Sequence, residues 1–276
     1  MQKVVFTPSK LLFTVFLSCF FILHTFAQTE KEKVTKETTT AATSATIKED
    51  LYLSGSATVA NNGISLIPLF ALGKPSLQFE FIVGKDRLSF EPQWWYAING
   101  KPWAYLLWLR YQLKNEGRFR TRVGIHLGMP FGEGMLLKKH EAITTIYINR
   151  YFVTEIAPYF IVNKNLRIGA YYFYSVGLDE GAIKSSQYGA INASISNIKL
   201  SETFLLGINP QFYYLNLGGD QGVYTFLNAN IYTSKSPFSL TFNLNKKVKT
   251  NIEAGKDLDW NIGLVYRFRK SFQRIQ

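Results

Sequence analysis

The stretch Trp260 to Phe268, WNIGLVYRF, decides how this chain folds. Trp260, Ile262, Leu264, Tyr266 and Phe268 alternate with Asn261, Gly263, Val265 and Arg267. Successive side chains of a strand point to opposite faces, so a period of two gives one large apolar face and one small or polar face. Upstream, Phe238, Leu240, Phe242 and Leu244 alternate with Ser239, Thr241, Asn243 and Asn245. Further upstream, Phe119, Thr121, Val123, Ile125 and Leu127 alternate with Arg118, Arg120, Arg122, Gly124 and His126. Such segments run about 9 to 11 residues, the length at which a tilted strand crosses a membrane.

Alternation alone does not say which face is buried. In a soluble sandwich the apolar face turns inward; in an outer-membrane barrel it meets lipid and the polar face lines the lumen. Aromatic placement favours the barrel. Trp94, Tyr96, Trp103, Tyr105, Tyr172, Tyr174, Tyr214 and Trp260 fall at one end of their strands on the apolar faces if the chain runs up and down. A belt of half-wet rings is expected at a membrane interface.

Parity points the same way. Twelve candidate strands can be marked at 63–72, 76–83, 87–98, 103–114, 118–127, 143–163, 165–177, 186–198, 202–216, 221–233, 237–247 and 258–268. The turns near 84–86, 115–117, 164, 199–201 and 234–236 are short and share one side. The connections 128–142, 178–185 and 248–257 are longer and lie on the other, as periplasmic turns and outer loops do. The expected fold is therefore all-β: a transmembrane antiparallel up-and-down β-barrel of 12 strands, over residues 63–268. The alternative is 14, if 143–163 splits at Asn149-Arg150. Leu51 to Val59 also alternates but would make thirteen, so residues 51–62 are expected as an extended segment in the periplasm or the lumen.

The flanks carry targeting information. Lys3 and Lys10, the apolar run Leu11 to Phe26 and Thr25-Phe26-Ala27 read as a signal peptide over residues 1–27. Residues 28–50 are charged and then rich in Thr and Ala, a composition too poor in large apolar side chains to fold, and read as a flexible periplasmic leader. Residues 269–276 are expected as a periplasmic tail. The one cysteine, Cys19, lies in the signal peptide, which excludes disulfides from the mature chain. Of 31 basic residues, 29 remain after Lys3 and Lys10 are removed, against 19 acidic ones. A basic exported chain points to lipopolysaccharide or anionic solutes and away from nucleic acid.

The segments NNGISLIPLFALGKPSLQFEF, RLSFEPQ, NRYFVTEIAPYF, IGAYYFYS, SNIKLS and WNIGLVYRF together resemble uncharacterised outer-membrane β-barrel proteins of Bacteroidota. The resemblance covers most of residues 51 to 268. It implies a barrel and little about activity, because function in that family is generally unassigned. The aromatic-ended last strand also resembles the signal read by the outer-membrane barrel assembly machinery, although eight residues follow Phe268.

Twelve strands about 4.8 Å apart and tilted about 40° enclose a backbone radius of roughly 12 Å, leaving a polar channel on the order of 10 Å or less. The inward parity holds Glu80, Glu91 and Glu155 against Arg110, Arg118, Arg120, Arg122, Arg167 and Arg267. These charges either select the sign of a passing ion, with a leaning toward anions, or pair with one another and fill the barrel. The inward aromatics Trp95, Trp108, Tyr171, Phe173, Tyr213, Tyr224 and Phe226 narrow the lumen by packing, or stack on a sugar. Only His126 and His140 remain in the mature chain, and there is neither a GxSxG nor a complete HExxH motif. No catalytic residue, metal or cofactor is expected. The expected function is passive diffusion of small hydrophilic solutes. A non-conducting structural or complex-forming barrel is the alternative, and a lipid-modifying enzyme a lesser one. The expected contacts are outer-membrane lipid, lipopolysaccharide phosphate at the lysine-rich outer loops, the assembly machinery and a small solute.

Overall fold

The computed structural model describes residues 51–138 and 141–272, without the side chains of 136–138 and 141–143. The signal peptide and leader expected at 1–50, and His140, lie outside the described residues.

The chain forms thirteen strands: β1 (Leu51–Ala60), β2 (Ser76–Lys85), β3 (Leu88–Ala97), β4 (Pro102–Lys114), β5 (Phe119–Lys138), β6 (Glu141–Ile148), β7 (Tyr151–Ile161), β8 (Leu166–Gly177), β9 (Ser185–Lys199), β10 (Leu205–Leu217), β11 (Asp220–Tyr232), β12 (Phe238–Thr250) and β13 (Leu258–Phe272). Twelve close into an antiparallel barrel in chain order, with β6 left out: β4 pairs β5, β5 pairs β7, and β1 pairs β13. The count of twelve holds and fourteen does not, but two of the expected strands are corrected.

The first correction is at the start. Residues 51–60 are not a segment apart from the barrel wall. All ten of β1 register against β13, from Leu51↔Phe272 to Ala60↔Gly263, and nine of them register against β2. Residues 63–72 form no strand; they hold a single 3-10 turn, Pro68–Phe70. Pro68 supplies no N–H for a ladder, whereas every residue of Leu51–Ala60 can donate. The second correction is at 128–148. The glycines there suggest a loop, yet β5 runs on past the barrel and folds back through β6 as a two-stranded hairpin. Those glycines make room for an aromatic: a Cβ on Gly132 would lie 2.3 Å from the Tyr147 ring. The chain does break at Asn149-Arg150, but the extra strand stands outside the ring.

β13 ends at Phe272, so residues 269–272 belong to the barrel and are not tail. The short turns share one end, here called lower, with Asp86 at φ 53° and Gly117 at φ 71°. The upper end carries the connections 61–75, 178–184 and 251–257, together with the β5–β6 hairpin. Two connections at this end are short: residues 98–101 between β3 and β4, and the link between β10 and β11. The two residues between β10 and β11, Gly218 and Gly219, have φ of 63° and 118°, which glycine adopts without the Cβ penalty.

The outer face is apolar. Phe238, Leu240, Ile262 and Leu264 are each about half exposed, while Ser239, Thr241, Asn245 and Asn261 on the alternate positions are buried. Of the expected belt, Trp94, Tyr172, Tyr174, Tyr214 and Trp260 are exposed near the upper end. Trp103 is a correction. A register shift between Trp95 and Tyr96 pairs Tyr96 with Pro102, and Trp103 is buried against Trp95 with ring centroids 4.9 Å apart. A bulge re-aims a side chain that strict alternation would send outward.

Candidate functional site

The interior of the barrel is the candidate site, and it divides by height. Its upper half is filled. Phe173, Tyr188, Tyr213 and Tyr224, from four consecutive strands, stack at successive centroid distances of 4.9, 5.0 and 4.9 Å. Tyr213 and Leu215 have 0% exposure. These inward aromatics therefore pack against one another.

The segment 61–75 folds down onto this ladder. The Tyr213 hydroxyl lies 2.9 Å from the carbonyl of Leu66, and Asn245 donates to that of Ser65 at 3.3 Å. Trp103 Nε1 donates to the carbonyl of Phe70 at 2.7 Å. Asn261 donates to that of Asn62 at 2.7 Å, and Asn62 in turn to Asp259 at 2.7 Å. Inside the loop, Gly63 N donates to Lys74 O and Leu72 N to Gly63 O, which pinches its base. Apolar residues of two other upper loops, Ile183 and Ile252, pack against the same ladder. Above the loop lies a vestibule of about 500 Å³, with Lys74, Lys101, Glu133, Trp103 and Tyr147 among its walls. Lys101 Nζ is 2.8 Å from Glu133 and holds that carboxyl below its ordinary range.

One wall carries a charge cluster. Arg110 on β4 grips Glu155 on β7 through Nε at 2.7 Å and Nη2 at 3.2 Å, and donates through Nη1 to Glu91 on β3. Arg122 on β5 is 3.1 Å from the same Glu155, and the Tyr171 hydroxyl donates to it. The Glu155 side chain is 0% exposed. Two arginines against two carboxylates leave the cluster formally neutral. Gly124 makes the approach possible, because a Cβ there would fall 2.9 Å from both Arg110 Cγ and Glu155 Oε1. Arg110 also lies over the Trp108 ring at 3.9 Å, and Trp108 packs on His126. His126 is buried behind that ring rather than presented to solvent.

Of the other predicted charges, Glu80 on β2 lies near enough to feel Arg110 and Glu91 of this cluster, while Arg118, Arg120 and Arg167 make other contacts. Arg118 precedes β5 and is exposed at the lower turn. Arg120 donates to the Gly117 carbonyl at 3.2 Å. Arg167 is exposed 6.0 Å from the Tyr159 ring. Glu80 and Arg267 face a second chamber of about 250 Å³, with Ser56, Asn228, Asn230 and Asn243 beside them. There the amides form a chain. Asn228 donates to Asn243 at 2.7 Å, Asn243 to Asn261 at 2.9 Å, and Asn261 to the Asn62 carbonyl of the loop.

Sequence reading missed this amide chain, although Asn228 and Asn230 share the inward parity and so do Asn243 and Asn261. It also missed the Asp179 clasp: Arg150 donates to Asp179 from Nη2 at 2.6 Å, from Nε at 3.1 Å and from its backbone N. The clasp holds the Asp179 carboxyl below its usual range. Among the described residues no group of three His, Cys, Asp or Glu is placed to hold a metal.

No family model matches the chain, and no curated protein matches it. Among solved structures it is similar to the KdgM porin in complex with disordered oligogalacturonate, at TM-score 0.47 and 8% identity over 79% of this chain and 99% of that one. It is also similar to an outer membrane channel from Pseudomonas putida F1, at TM-score 0.44 and 11% identity over 85% and 100%. A third is the CymD monoaromatic hydrocarbon channel, at TM-score 0.40 and 7% identity over 83% and 90%. The barrel assignment rests on this chain's own closed ring of paired strands.

Proposed function

We propose that this chain is an outer-membrane barrel that passes small hydrophilic solutes through a narrow lumen, with the segment 61–75 as its constriction. An exposed apolar belt around a ring with polar inward positions is what a lipid-spanning barrel requires, since water is absent outside and every backbone group is paired within. The short-turn end is then periplasmic and the long-loop end extracellular. The belt meets outer-membrane lipid, the lysines of the upper loops meet lipopolysaccharide phosphate, and the assembly machinery reads the aromatic end of β13.

The observation that carries the reading is how the partition between vestibule and lower chamber is built. It is a loop tethered by side chains to carbonyls, not a strand held in the ladder. Such tethers are individually worth about 1 kcal/mol, so the loop is separable from the wall. The second reading, a permanently closed structural barrel, draws on the complete burial of Tyr213 and Leu215.

Planar-bilayer recording separates the two. Replacing residues 62–72 by a short Gly-Ser linker raises single-channel conductance several-fold if the loop is a constriction. If neither the natural chain nor the linker variant conducts, the channel reading fails and the closed barrel stands.

A further inference from the structure

The lower chamber, whose Glu80 adjoins the charge cluster on β3 and feels Arg110 and Glu91, differs from that cluster in one respect. At the cluster, every carboxylate is engaged by an arginine. At the chamber, Glu80 and Arg267 carry opposite charges, and among the described residues neither joins an ion pair within 4.0 Å. Among the described residues the side-chain hydrogen bond of each is to a hydroxyl: Ser56 Oγ donates to Glu80 at 3.4 Å, and Arg267 donates to Ser239 Oγ. Both flank the same residue, because Ser56 registers with Glu80 on one side and with Arg267 on the other. Their Cα atoms are therefore two strand spacings apart, about 10 Å. Long side chains from that distance can close on two ends of one small molecule without reaching each other.

The remaining chemistry of the chamber is amide and hydroxyl. Asn228 gives one side-chain nitrogen to Thr241 and Asn243 while its oxygen accepts from Asn230. An asparagine has two donor hydrogens and an oxygen with two lone pairs, so hydrogen-bonding capacity remains along the chain. The volume, about 250 Å³, exceeds that of a single water many-fold and suits one small solute.

We infer that this chamber binds a small zwitterion, an α-amino acid with a short uncharged side chain. Arg267 takes the carboxylate, Glu80 takes the ammonium, and the asparagines take what polar groups the side chain offers. A charge-assisted hydrogen bond at each end supplies the discrimination. A lone anion or cation satisfies one end and leaves the other charge facing it uncompensated. A polyol satisfies neither. This site deepens the channel reading by naming its solute class, yet binding needs no conduction, so the two fail separately.

The test is calorimetric titration of the detergent-purified protein with L-serine, and with lactate, ethanolamine and glycerol as carboxylate-only, ammonium-only and polyol probes. L-Serine is expected to bind at least tenfold more tightly than any of the three. Glu80→Gln and Arg267→Gln are each expected to weaken it at least tenfold, while Arg267→Lys keeps most of the affinity. No heat with L-serine, equal binding of lactate or glycerol, or unchanged affinity in both glutamine variants would overturn the assignment. If the variants lose the strand signature in circular dichroism, the ranking of the four probes on the unaltered protein decides alone. A protein that binds L-serine but never conducts keeps this site and loses the channel. One that conducts without binding it keeps the channel and loses the site.

Discussion

Arg110 and Glu155, 45 residues apart in sequence, face each other across the intervening β5 through a two-pronged grip of 2.7 and 3.2 Å. Position 124, which registers with both, is glycine, so no side chain at that position stands in the approach. The grip turns two potentially selective charges into part of the wall.

Removing one side of it is costly. Glu155→Gln leaves Arg110 and Arg122 without their shared counter-charge, and breaking a buried pair this way costs about 3–5 kcal/mol. The denaturant midpoint of the refolded barrel falls accordingly. In bilayer recordings the reversal potential under a salt gradient moves toward anions.

Gly124→Val acts on the same cluster without touching a charge. Its Cβ would sit 2.9 Å from Glu155 Oε1, so the carboxylate must leave Arg110. Urea titration is expected to show a loss of about 1–3 kcal/mol, the range for overpacking. Gly189→Ala, whose nearest atom would be 3.9 Å away, is expected to be close to neutral.

The two faces of β12 respond oppositely to charge. Leu240→Arg places a cation in the apolar belt and costs about 2–4 kcal/mol if position 240 lies near the bilayer midplane. Asn243→Arg, facing the lower chamber, leaves insertion intact and alters ion selectivity. Folding titrations in lipid vesicles measure the first and bilayer recordings the second.

Trp103→Phe keeps a ring against Trp95 but deletes the Nε1–H that holds Phe70. Loop 61–75 is then held by one tether fewer. Open events in single-channel traces should lengthen or multiply relative to the natural chain, with little change in thermal stability.

Acid loosens the upper clasp. Arg150 depresses the Asp179 carboxyl, so the folded form holds its proton less tightly than the unfolded chain. The stabilisation is present above the ordinary carboxylate range and is lost as pH falls through the depressed folded value. At neutral pH it is complete. The amide of Ala182, bonded to the Asp179 carbonyl, is expected to exchange faster only in strong acid, and Asp179→Asn should remove that dependence.

The sorting of residues onto two faces was legible in the sequence, because a two-residue period sets Ile262 and Leu264 apart from Asn261 and Arg267; the aromatic belt and the strand count, not the period, sent the first pair outside and the second inside. The length of the ring was legible too, but its starting point was not. Leu51–Ala60 and 63–72 compete for one place in the count, and parity cannot choose between them. The choice falls to Pro68 and to the pairing partner β13, some two hundred residues away. Trp103 misled because a single bulge reverses parity. The charges at Arg110, Arg122, Glu91 and Glu155 could be placed inside from alternation, while their mutual cancellation depends on heights that only register supplies. The chamber at Glu80 and Arg267 was hidden for the same reason, since the two come to flank one residue, Ser56, only where β1 joins β13.

That meeting also orders assembly. The wall has no completed circumference until the first strand finds the last, so a chain lacking either one presents two raw backbone edges instead of one continuous surface. A polypeptide shortened to begin after Ala60 would carry eleven staves, an odd number that up-and-down pairing cannot join antiparallel. β13 must be made before the hoop can be fastened.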